Sequence, residues 1–147
     1  MNKPTWLAEE RIKSCDWDVS GGSLVYDISY LHPDFADVTQ SYTIESVDWE
    51  GRLVYGSEFL FFKKGEAFPS DFGQYPKALK AQLWQVVFAI KRLFFEEVKP
   101  DIVLHFIKQP HSVAGRLELY QKQLALPGYL ITRNSQEIVY TRQSAAT

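Results

Sequence analysis

The chain has 147 residues, with 16 lysines and arginines against 18 aspartates and glutamates, for a net charge of −2. That near balance removes the basic excess of a nucleic-acid binder, and 46% hydrophobic with 15% aromatic residues excludes a disordered chain. A lone cysteine, Cys15, excludes an internal disulfide and leaves no basis for a cysteine-based zinc site.

The length is that of one ordinary domain, 1–147. The opening MNKPTWLAEER lacks the apolar core of a signal peptide, and no apolar run is long enough to span a bilayer. The expectation is a soluble cytoplasmic protein with neither nucleic acid nor membrane as a partner.

Residues 4–13 read as a turn or two of amphipathic helix with Trp6, Leu7 and Ile12 inward. Gly21 and Gly22 break the chain. SLVYDISY then alternates Leu24, Tyr26, Ile28 and Tyr30 with Val25, Asp27 and Ser29, the period of a half-buried strand. HPDFAD is a loop. Residues 40–49 are rich in Thr, Tyr, Ile and Val, and Gly51 supplies the positive φ a hairpin needs before 52–63 returns antiparallel. Gly56 marks a bulge in that strand. EFLFFKK is apolar on both faces, as in the middle of a sheet covered on both sides.

Residues 65–76, GEAFPSDFGQYP, carry turn chemistry and no period. They form either a site or an aromatic-lined crossover.

From Pro76 to Val98 the apolar residues Leu79, Leu83, Val86, Val87, Ile90 and Phe94 recur at helical spacing, and Trp84, Phe88 and Phe95 widen the stripe. Pro76 suits the first helical position, and Lys99-Pro100 stops the run. Lys77, Lys80, Gln85, Lys91, Arg92 and Glu96 leave a narrow wet side. Such a helix is roughly 33 Å long. The strand Ile102–Ile107 follows, so helix between two apolar strands predicts a parallel βαβ crossover. Residues 114–126 resume helical spacing through Leu117, Tyr120 and Leu124, ended by Pro127-Gly128. YLITR and EIVYTR close the chain as a hairpin. The predicted class is α+β: a single-domain mixed sheet flanked by helices, with antiparallel N-terminal strands, a long central helix, a βαβ crossover, and a C-terminal helix and hairpin.

That order resembles the GCN5-related N-acetyltransferase fold over Phe59 to Arg142, through KPDIVLHFIK, GRLELYQKQL, PGYLITR and IVYTR. It is also similar to small uncharacterised phage and mobile-element proteins in which an arginine precedes Leu-Tyr, as Arg116 precedes Leu119 and Tyr120. The resemblance implies acetyl-CoA seated where EFLFFKK meets the long helix. Backbone groups near Leu60 and Phe62, with Phe72 and Gly73, are its candidate cofactor contacts, and Tyr120 is the candidate general acid toward the thiolate. The sequence departs from the family at the pyrophosphate loop. Gly65 and Gly73 lie far apart, no basic residue stands between Lys64 and Lys77, and Pro69 and Pro76 remove amide donors.

Each candidate also has a plain structural role. Tyr120 packs a helix on a sheet, and His105 is a hydrogen-bonded core histidine as readily as a general base. Lys108, His111 and Arg116 form an anion site or a solvated loop. The histidines have no close third ligand in sequence, so no metal is expected. Glu96 and Glu97 are adjacent on a helix and point apart, so they are no catalytic pair. The expectation is a non-catalytic acetyltransferase-like binding or accessory domain with no cofactor. Its partner is a protein or small ligand held by Trp17, Trp49, Phe68, Phe72 and Tyr75, with Lys108, His111 and Arg116 on the same surface. The alternative is a divergent acetyl-CoA-dependent N-acetyltransferase. A homo-oligomer is compatible with either.

Overall fold

The computed structural model describes residues 6–18, 20–47, 51–67, 75–107, 113–124 and 126–143. Among them the chain forms eight strands and two α-helices: β1 Lys13–Asp18, β2 Gly21–Asp27, β3 Val38–Ser46, β4 Val54–Lys63, β5 Glu66–Ala67, α1 Lys77–Val98, β6 Ile102–Phe106, α2 Val113–Gln123, β7 Tyr129–Arg133 and β8 Glu137–Arg142. The strands make one mixed sheet in the order β1-β2-β3-β4-β6-β8-β7, with β5 pairing to β4. β4 and β6 are parallel, as the apolar strand, helix, strand order predicts. All other pairs are antiparallel.

Alternation along the strands sends Leu24, Tyr26, Tyr42, Ile44, Tyr55, Val103, Ile138 and Tyr140 to one face, where they are buried. α1 lies on that face through Leu79, Leu83, Val86, Val87, Ile90, Phe94 and Phe95. α2 joins it there: Tyr120 meets Trp84 and Phe88 of α1 edge-on, and its ring lies 6.5 Å from that of Tyr140. The opposite face carries Val25, Thr43, Glu58, Leu60, Phe62, Leu104 and Phe106, none of them buried. Among the described residues EFLFFKK is therefore central but covered by a helix on one side only, and Leu60 and Phe62 on the other are half-buried, in place of the expected doubly covered strand.

Other expectations change with the structure. The N-terminal segment makes only a 3-10 turn, Glu9–Arg11, before β1, although Leu7 and Ile12 are buried. Tyr30, expected on the inward row, is exposed; it leaves the strand register and its hydroxyl bonds to that of Tyr26. Gly56 sits in an unbroken β3–β4 register opposite Glu45, so it makes no bulge; the irregularity falls in β1 between Cys15 and Asp18. Pro76 occupies the N-cap of α1, where its carbonyl accepts from Lys80. Gly21 and Gly22 open β2 at φ 135 and 142. A Cβ on Gly21 would stand 2.1 Å from the Ile44 carbonyl oxygen, so the backbones of β2 and β3 approach as only glycine allows.

The largest revision concerns Lys91. Read as part of the wet side of α1, it is fully buried. Its position explains this: it lies four residues from both Val87 and Phe95 and three from Phe88 and Phe94, inside the stripe.

Candidate functional site

β4 and β6 pair only through Ser57↔His105, whereas β4 runs six residues further along β3 to Lys63. β6 ends one residue past that pair, at Phe106, so among the described residues β4 beyond Glu58 stands without a β6 partner, and this step in the sheet is the fork. The β3–β4 ladder sets which backbone groups face the gap. Val47 donates to the Val54 carbonyl, so Val54 and every second residue after it, including Leu60 and Phe62, bond toward β3. The intervening residues, Phe59 and Phe61 among them, turn their N–H and C=O toward the β6 side. At the far end β4 turns back through Lys64 and Gly65, at φ 51 and 83, and β5 takes the edge at Phe62 and Lys63. Among the described residues no strand covers Phe59 on that side.

Below the fork, between α1 and the sheet, lies a closed polar cluster. The Tyr42 hydroxyl donates to Ser57 Oγ at 2.9 Å, and Ser57 Oγ lies 3.2 Å from His105 Nδ1. Ser57 accepts from Tyr42 and has both a proton and a second lone pair to meet Nδ1, so this contact is satisfied by either neutral tautomer of the ring. Burial, then the nearby Lys91 and Arg116, hold His105 well below the usual imidazole range, so the ring is neutral. Lys91 Nζ donates to the Tyr140 hydroxyl. It sits 4.4 Å from the Tyr120 ring centroid and 4.5 Å from that of Tyr140, with Tyr42 and Phe59 at 5.7 and 5.8 Å. No acidic group is among its partners in the described residues. Burial first, and Arg116 second, drive its pKa well below the ordinary lysine value. The cluster therefore holds a desolvated amine in an aromatic cage.

Tyr120 has no exposed surface, and its hydroxyl has no hydrogen-bond partner among the described residues. Burial raises its pKa, and the Arg116 guanidinium pulls it back without reaching bonding geometry. Arg116 itself stacks 5.1 Å over the Trp84 ring. The fold thus brings Tyr120, His105 and Arg116 into one neighbourhood, 6.2 Å separating the Tyr120 and His105 rings. It adds Lys91, Ser57 and Tyr42, which sequence reasoning did not select. A lysine on an otherwise apolar helical arc was the available signal.

The remaining candidates fall elsewhere. Leu60 and Phe62 are half-buried on the open face, with their backbone bonds spent on β3. Leu60 borders a shallow cavity of about 360 Å³, with Ser57, Gly56 and Phe106. Tyr75, expected on the partner surface, is buried against Phe35 and His32, because the turn before α1 tucks it inward. Trp17 packs edge-on against Phe94. Trp49, Phe68, Phe72, Gly73, Lys108 and His111 lie outside the described residues. Among the described residues no group of three or more His, Cys, Asp or Glu is placed to hold a metal ion, and no helix is long and apolar enough to cross a membrane.

No protein-family model, curated protein or solved structure matches the chain.

Proposed function

We propose that the chain is an acetyltransferase-like domain that binds rather than catalyses, engaging a protein segment or small ligand at the fork between β4 and β6. The observation that carries this is burial. His105 is 1% exposed and Tyr120 0%, so the one candidate base and the one candidate acid are sealed beneath Phe59, Lys91 and Tyr140. A group that moves a proton to or from a substrate needs that substrate within hydrogen-bond reach. What the fork offers from outside is backbone: the N–H and C=O of Phe59, which no strand pairs among the described residues and which suit an extended ligand with amide groups of its own.

The second reading is a divergent acetyl-CoA-dependent N-acetyltransferase, with a phage or mobile-element setting in either case. Two observations favour it: the end of the parallel pairing partway along β4, and a tyrosine on the helix that follows whose hydroxyl has no hydrogen-bond partner among the described residues. The backbone of Phe59 fits an amide-bearing pantetheine arm; the closed surroundings of Tyr120 do not fit protonation of a leaving thiolate. Calorimetric titration with acetyl-CoA separates the readings. The binding-domain reading expects no saturable heat, and micromolar binding accompanied by acetyl transfer to an amine would replace it with the enzyme.

A further inference from the structure

The end of the sheet opposite the fork holds a groove of about 750 Å³, within the size range of small-ligand sites. The last turns of α1, the start of β6, the turn into β7 and the end of β8 meet there. Its apolar part is formed by Leu126, Pro127 and the half-buried Tyr129, whose ring is backed edge to face by the buried Phe95 with centroids 4.7 Å apart. Around them stand three cations, Arg92, Lys99 and Arg142, none with an ion-pair partner among the described residues.

Two acids, Glu96 and Asp101, share the rim, so three cations stand against two carboxylates and the groove keeps a positive excess of one. Asp101 is engaged in accepting from the Leu53 amide at 2.8 Å. Among the described residues the Arg142 side chain makes one bond, Nη1 to the Lys99 carbonyl at 3.3 Å, which leaves the rest of its donor fork to meet a ligand. Lys99 occupies the left-handed position after α1 at φ 51, where glycine is the unstrained choice. A lysine there carries backbone strain and delivers a charge to the groove.

We infer that this groove binds a small planar aromatic anion, its phosphate or carboxylate on Arg92, Lys99 and Arg142 and its ring against Tyr129, Leu126 and Pro127. The site is independent of the fork.

The test uses the full chain, followed by amide chemical shifts and calorimetry. Its probes are AMP as the phosphate form, 1-naphthoate as the carboxylate form, and adenosine as the uncharged control. At least one anion is expected to saturate with Kd below about 1 mM and to move the Gly128 and Lys99 amides, with adenosine at least about tenfold weaker. Arg142→Gln and Lys99→Gln should each weaken that anion by about tenfold. Lys99→Gly separates the ligand role from the structural one: it should raise Tm by relieving the left-handed residue while weakening the anion to the same extent. If neither anion saturates, or if binding survives all three substitutions or equals that of adenosine, the inference is overturned.

Discussion

Lys91 and Tyr140 face each other at the centre of the core, the amine donating to the hydroxyl with no exposed surface on either. Each is the other's only hydrogen-bond partner among the described residues, so the pair stands or falls together. Removing Tyr140's hydroxyl alone strands a buried amine, a loss of about 1–3 kcal/mol. The double variant Lys91→Met with Tyr140→Phe removes both polar ends and should be at least as stable as the parent at pH 7. Urea denaturation of the three proteins checks this. A double variant clearly less stable than the parent would show that the pair contributes net stability.

The same burial sets a pH dependence. Folding depresses the Lys91 pKa below 10.5, so above the folded value and up to 10.5 the unfolded chain binds a proton the folded chain does not. Stability therefore rises with pH across that window, by at most about 1.4 kcal/mol per pH unit for this one group. Above pH 10 the trend reverses. Burial raises Tyr42 and Tyr140, so the folded chain keeps protons that the unfolded chain loses. Denaturation midpoints should climb as the pH approaches 10 for the parent and stay flat over the same window for Lys91→Met.

His105 governs the acid side. Its folded pKa lies well below 6.5, so the unfolded chain takes up the proton first as the pH falls. The contribution is complete above pH 6.5 and is lost progressively below it. His105→Gln removes the titration, and although less stable at pH 7 it should lose less stability between pH 6.5 and 5. An equal loss in both proteins would place the acid sensitivity elsewhere.

Most of the scaffold is legible in the chain because it follows from period. The i, i+3, i+4 spacing of α1, the apolar strands flanking it and the terminal hairpin all appear where spacing puts them. What escapes is what residue type hides. Lys91 reads as solvent-facing because lysines usually are, although its position on the helical wheel is a core position. β1 escapes because KSCDWD is almost wholly exposed at the sheet edge, with no buried row to impose alternation. Tyr120 and His105 can be selected from sequence, but their shared enclosure depends on α2 and β6 meeting across the same sheet face, a non-local relation that no spacing carries.

The glycines supply a direct contrast. Gly21→Ala drives a methyl group onto the Ile44 carbonyl at a φ of 135 that alanine rarely adopts, so a loss above about 3 kcal/mol is expected. Gly56 lies in a regular ladder, and a Cβ there meets nothing within 4 Å. Gly56→Ala should gain about 0.5–1 kcal/mol. Thermal melts of both variants decide the point. A stabilised Gly21→Ala would mean that β2 and β3 lie further apart than the register places them.

Tyr120 gives the sharpest test of whether the enclosed cluster serves chemistry or packing. Its buried hydroxyl has no hydrogen-bond partner among the described residues, so Tyr120→Phe removes a desolvated polar atom and leaves the ring contacts with Trp84, Phe88 and Lys91. The change should be neutral or stabilising by up to about 1 kcal/mol. Tyr42→Phe differs: it deletes a donor to Ser57 and leaves that hydroxyl underbonded against His105, a loss of about 1–2 kcal/mol. Paired stability measurements on the two variants establish the order. If Tyr120→Phe proves the more damaging, or if it abolishes an acetyl-transfer activity that the parent possesses, the hydroxyl has a partner in solution and the packing account fails.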